Sequence, residues 1–142
     1  MKTKAPINRQ ADFSIVVTSR LLTLGDLIEA VGLLSDASWS VGEEVPIGPG
    51  ASKVASFNRW SICETAVGDE VDWESTIDLL FSRASVAKQA LRLMARASVD
   101  VYFSINLTYN VGIFGFSMSS NQISFLSDIG ASLVSSTVVE NF

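Results

Sequence analysis

Residues 99–107 read Val-Asp-Val-Tyr-Phe-Ser-Ile-Asn-Leu, and their strict alternation decides the fold class. Side chains along an extended chain alternate with a period of two. Val99, Val101, Phe103, Ile105 and Leu107 therefore share one side, and Asp100, Tyr102, Ser104 and Asn106 the other. A strand with one apolar and one polar face belongs to a sheet that is covered on one side only. Other segments must supply partner strands and the layer that covers the apolar face.

Upstream, residues 12–19, Asp-Phe-Ser-Ile-Val-Val-Thr-Ser, are dense in β-branched and aromatic side chains, which predicts a first strand. Thr23 followed by Asp26 is a helix-start signal, and Leu24, Leu27, Ile28 and Val31 keep helical spacing until Gly32, placed as a C-cap. Residues 38–67 predict two strands around a loop at 42–53, because GEEVPIGPGASK holds three of the nine glycines and two of the three prolines. Asp72 is placed to cap the next helix, in which Ile77, Leu80, Phe81, Ala84, Leu91 and Met94 form one stripe. A break is predicted at 82–85, with Ser85 capping a second segment.

After the alternating stretch, 108–110 predicts a turn and 111–118, VGIFGFSM, a further strand with a β-bulge beside Gly115. Asn121 then caps a helix carrying Ile123, Leu126 and Ile129, Gly130 ends it, and 131–139 supply a last strand. FLSDIGASLV at 125–134 echoes LIEAVGLLSD at 27–36, with Gly130 on Gly32 and Thr23 on Asn121. The expected architecture is an α+β fold, an antiparallel β-sheet with helices packed on one face. Two β-α-β units in it could be related by a pseudo-twofold repeat.

At 142 residues the chain is expected to form a single domain with a core of its own, and residues 1–11 to be loosely ordered. Hydrophobic residues make up 48% and charged residues 18% of the sequence, and mean hydropathy is +0.35, so a large core or an apolar interface is expected. No secretory leader or membrane span is legible, because the apolar regions at 13–34 and 99–118 are broken by charges or alternating polar residues. A cytoplasmic location with no membrane association follows as the expectation. The net charge of −5 argues against a nucleic-acid partner.

Several motifs suggest enzyme chemistry only superficially. The chain has no histidine, which excludes Ser-His and Cys-His nucleophile pairs and leaves zinc almost without ligands. Ser85 and Lys88 have an S-x-x-K spacing, but Ser85 reads better as a helix cap. Cys63, the one cysteine, sits among acidic residues, which disfavour a thiolate, and reads as passive. The GPGASK stretch at 48–53 lacks the phosphate-loop spacing and has no helix after it. Asp69, Glu70 and Asp72 lack the residue order of a calcium loop. Trp39, Trp60 and Trp73 have no basic interleaving and read as packing residues. No catalytic residue, metal site or cofactor is expected.

Four short features resemble a known family. Val31-Gly32-Leu33 closes the first helix, Gly42-Glu43 leads into a strand, and Arg59-Trp60 lies on the returning strand. Leu126 to Leu133 then reads L-x-x-I-G-A-S-L. Together they resemble the bacterial family called domain of unknown function 4279, over roughly residues 13–138; the ending SSTVVENF departs from the family pattern of a strand finishing in acidic and tyrosine positions. The resemblance implies a protein-binding role, since small acidic families of this kind are often encoded beside toxins as immunity proteins, and it carries no catalytic residues. The expected function is a non-enzymatic immunity protein that occludes a basic toxin domain with Glu43, Glu44, Asp69, Glu70, Asp72 and Glu74. A small-ligand-binding or regulatory domain, using a cavity between sheet and helices, is the alternative. The apolar composition also allows a homodimer.

Overall fold

A computed structural model of the chain describes residues 9–48, 50–67, 73–97, 99–109 and 117–139. The alternating stretch forms β6 (Asp100–Tyr109), and it pairs antiparallel with β1 (Arg9–Ser19). On its other side β1 pairs antiparallel with β5 (Asn58–Val67), so the N-terminal strand is the middle of the sheet. A three-residue strand, β2 (Ala37–Trp39), flanks β5, and β7 (Ser132–Val139) flanks β6, giving the order β2-β5-β1-β6-β7. The sheet is mainly antiparallel as expected, with β6–β7 its parallel pair; a parallel neighbour needs a long crossover, and the helix between the two strands provides it. Residues 9–11, expected to be loosely ordered, belong to β1, with Ala11 fully buried.

The segment expected as a loop at 42–53 is instead mostly a hairpin, β3 (Glu44–Gly48) and β4 (Ala51–Val54), forming its own two-stranded sheet. Pro46 is tolerated because the register shifts beside it, and Gly50 takes the left-handed turn conformation at φ +70°. The strand and bulge expected at 111–118 lie outside the described residues, apart from Ser117 and Met118, which are in no strand.

All four described helices cover one face. These are α1 (Leu24–Val31), α2 (Trp73–Ala84), α3 (Lys88–Arg96) and α4 (Ser120–Ile129). One core cluster joins their apolar side chains, including Leu27, Leu80, Leu91 and Ile129, to Phe13, Ile15, Val17, Trp60, Ile62 and Phe103 of the sheet. Each such side chain contributes about 1.5–3 kcal/mol when fully buried. Aromatic rings link the layers: Phe81 stacks on Phe125 at 4.7 Å and meets Phe103 edge-on at 5.3 Å.

The break near 82–85 is a 3-10 turn at Ser85–Ala87 between α2 and α3, but Ser85 caps nothing; its hydroxyl donates to the Ser82 carbonyl at 2.7 Å. Likewise Ser119, not Asn121, caps α4, in a capping box with Gln122. The echo between the two helices is therefore an echo of caps. Thr23–Asp26 makes the same box on α1, and Gly32 and Gly130 end their helices at φ 72° and 68°. It stops at the strands, since β5 separates β2 from β1 whereas β7 lies directly beside β6. Among the described residues no helix is long and apolar enough to cross a membrane.

Candidate functional site

Two groups of polar side chains stand out, and they differ in whether their hydrogen bonds are complete. The first centres on Arg83 at the end of α2. Its guanidinium donates to Glu64 Oε1 at 2.8 Å, the Cys63 carbonyl at 3.1 Å and Asp36 Oδ1 at 2.9 Å, while Asp36 Oδ2 accepts from the Cys63 N–H at 2.9 Å. The hydrogen bond from Arg83 is the main reason the Asp36 carboxyl lies below its ordinary range, and the two carboxylates hold the Arg83 pKa above its ordinary value. This network ties α2 to β5 and to the loop after α1. Its groups are paired with one another, so it works as a clamp.

The second group is unsatisfied. It lies on the helix-free face, the one that carries no helix among the described residues, at the end of the sheet where β5 begins. Register places Trp39, Arg59, Thr18 and Asp100 in one row across β2, β5, β1 and β6. The helices' buried apolar side chains all join the cluster on the opposite face. Arg59 lies over the Trp39 ring, 4.4 Å from its centroid, and Phe57 packs at 6.2 Å from the same ring. Arg59 and Asp100 sit two strands apart, about 10 Å, and form no ion pair with each other. Arg59 Nε and Trp39 Nε1 are both buried with no hydrogen-bond partner among the described residues. Leaving such a donor unmet costs about 1–3 kcal/mol.

Clefts open around this row. One of about 420 Å³ is lined by Thr18, Ser19, Arg20, Phe57, Asp100 and Tyr102. A second of about 380 Å³ shares Thr18, Asp100 and Tyr102 and runs round to Ala95 and Gly130. Burial raises the Tyr102 pKa, keeping its hydroxyl a neutral donor. A third cleft, about 240 Å³, lies under the hairpin between Val45, Pro46 and Lys53 on one side and Trp39, Ala55 and Phe57 on the other. Its roof is fixed by Ala55 N–H donating to the Glu43 carbonyl at 2.8 Å and Gly42 N–H donating to the Ala55 carbonyl at 2.9 Å.

The carboxylates singled out in the sequence do not gather into one described cluster. Glu43 and Glu44 are exposed at the base of the hairpin, where Glu43 also accepts a hydrogen bond from the Ser40 N–H. Glu74 lies in the first turn of α2, which packs beside the far end of β5; Asn58 and Glu64 on that strand are about 20 Å apart. Asp69, Glu70 and Asp72 lie outside the described residues, as does the expected capping by Asp72. Among the described residues no group of three metal-ligating side chains comes together. Ser85 and Lys88 are engaged separately, Lys88 with Asp128 at 3.0 Å. The Trp39–Arg59 pair escaped the sequence reading, although Arg59-Trp60 had drawn attention, because only the strand register reveals which aromatic faces Arg59.

The arrangement defines an α+β sandwich with the described helices on one face and, on the other, a row in which two buried donors have no partner among the described residues. The chain belongs to the family described as domain of unknown function (DUF4279), whose model matches residues 9–139. Neither a curated protein nor a solved structure matches it.

Proposed function

We propose that this chain is a non-enzymatic binding module that recognises a protein through its hairpin end, most concretely an immunity protein that occludes a basic toxin domain. One observation carries the reading. The hairpin forms a sheet of its own, all four residues of β4 are exposed, and Val54, half open to solvent, lies directly opposite Glu44. Exposed Val41 and Leu21 are held nearby, because Asn58 accepts from the Val41 N–H and donates to the Leu22 carbonyl. Apolar side chains rimmed by carboxylates suit a basic partner. The apolar contacts set the lifetime of the complex and the charges its rate of formation.

The product of the adjacent gene, co-expressed and purified with this chain, supplies the test. Glu43→Gln with Glu44→Gln should slow association roughly tenfold at low salt and flatten its salt dependence. Glu74→Gln, at the other end of the sheet, should do much less. Association kinetics untouched by the double substitution would refute the reading. The clefts on the helix-free face support a second reading, a small-ligand-binding or regulatory domain, which stabilisation by a metabolite in a thermal-shift screen would favour.

A further inference from the structure

We infer that the cleft under the hairpin is a binding site for a small aromatic carboxylate. The inference rests on the small-ligand reading and is independent of the protein-binding one. Three observations point the same way. The cleft measures about 240 Å³, room for a single ring with a short acidic arm, and Trp39, Phe57, Val45, Pro46 and Ala55 give it apolar walls. Lys53 also lines the cleft and is ion-paired with no carboxylate among the described residues. The indole N–H of Trp39, a residue of the cleft wall, is a buried donor with no acceptor among the described residues.

A charge-neutral apolar ligand would fill the space and leave the Trp39 donor and Lys53 unmet. A cationic ligand would meet Lys53 with the wrong sign. An anionic acceptor on an aromatic ring answers both at once: the ring packs on Trp39 and Phe57 and the carboxylate accepts from Lys53 and the Trp39 indole N–H. The Arg59–Trp39 stack holds the indole in place before any ligand arrives.

The probes are phenylacetate, benzoate and the neutral phenylacetamide, titrated into the full ¹⁵N-labelled chain while the three tryptophan indole N–H signals are followed, that of Trp39 being assigned by its loss in Trp39→Phe. A ligand of about ten heavy atoms should bind with a Kd of about 1 mM. The expected result is a saturable shift of the Trp39 signal with both carboxylates and binding at least about fivefold weaker for the amide. Lys53→Gln, at an exposed position, should erase that difference, and Ala55→Leu, which fills the cleft, should abolish the response. Equal affinity for amide and carboxylate would overturn the inference and leave the small-ligand reading standing. A response that survives Ala55→Leu would overturn the location. Silence of the Trp39 signal with all three probes would overturn both the inference and the small-ligand reading of this cleft.

Discussion

Replacing Gly130 by alanine separates two costs that the echoing helix ends otherwise share. Gly32 and Gly130 both stand at positive φ, 72° and 68°, so an alanine at either must adopt the left-handed conformation. That strain costs about 1–2 kcal/mol, offset by about 0.4–1 kcal/mol from the stiffer unfolded chain, for a net destabilisation near 1 kcal/mol. Around Gly32 a new Cβ meets nothing within 4 Å, whereas at Gly130 it lands 3.0 Å from the Ala95 Cβ on α3. Relieving that contact requires α3 and α4 to separate slightly, at a further cost of about 1 kcal/mol, the low end for an overpacked site. Gly130→Ala should therefore melt about 3 °C below Gly32→Ala, since 1 kcal/mol corresponds to a few degrees for a chain of this size. A double-mutant cycle with Ala95→Gly isolates the contact: urea unfolding should return a favourable coupling of about 1 kcal/mol between the two sites. Equal destabilisation by the two glycine substitutions, or additive effects in the cycle, would refute the reasoning.

Gln122 is buried at the foot of α4, where its amide donates to the Glu74 carbonyl at 2.9 Å and Asp78 Oδ1 at 3.0 Å and its oxygen accepts from the Ser119 N–H. Gln122→Ala should cost about 1–2 kcal/mol in denaturant unfolding, since it removes the hydrogen bonds of a buried side chain and opens the capping box. Asp36 is held below its ordinary pKa by Arg83, so its contribution is complete above the unfolded pKa, about 4, and is lost as pH falls through the lower folded value. Asp36→Asn should flatten the decline of stability with pH below about 4, by less than about 1 kcal/mol because the pair is partly solvated. Trp60→Phe removes the indole N–H that donates to the Leu33 carbonyl at 2.9 Å and should lower stability by about 1–3 kcal/mol, read by thermal unfolding.

What the sequence disclosed was local. The alternation at 99–107, the stripe from Ile77 to Met94 and the Thr23–Asp26 box each encode their structure within one or two turns or a single strand, and each appears where the pattern puts it. The hairpin was hidden because its glycines and prolines, ordinarily loop residues, here serve one tight turn and one register shift. Ser119 was overlooked as a cap because Asn121, two residues on, has the same chemistry. The parallel β7 depends on where a crossover returns the chain, which no short window specifies. The candidate site was the least legible part. Arg59, Trp39 and Phe57 are ordinary side chains until pairing brings their strands together, and of the carboxylates that catch the eye in the sequence the described ones, Glu43 and Glu44 against Glu74, divide between opposite ends of the sheet.

Because β1 is made before either of the strands it pairs with and yet becomes the middle of the sheet, synthesis and assembly run in different orders. β1 has nothing to pair with until β5 emerges, and its other edge stays open until β6 does. Phe13, Ile15 and Val17 thus wait, unsheltered, for most of the chain to be translated. Such non-local pairing predicts folding on a timescale of milliseconds to seconds and a nascent chain that depends on holding factors to stay soluble. A chain cut anywhere before β6 would retain the seed of the sheet without its second half, so fragments of this protein should be cleared by proteolysis rather than accumulate as folded pieces.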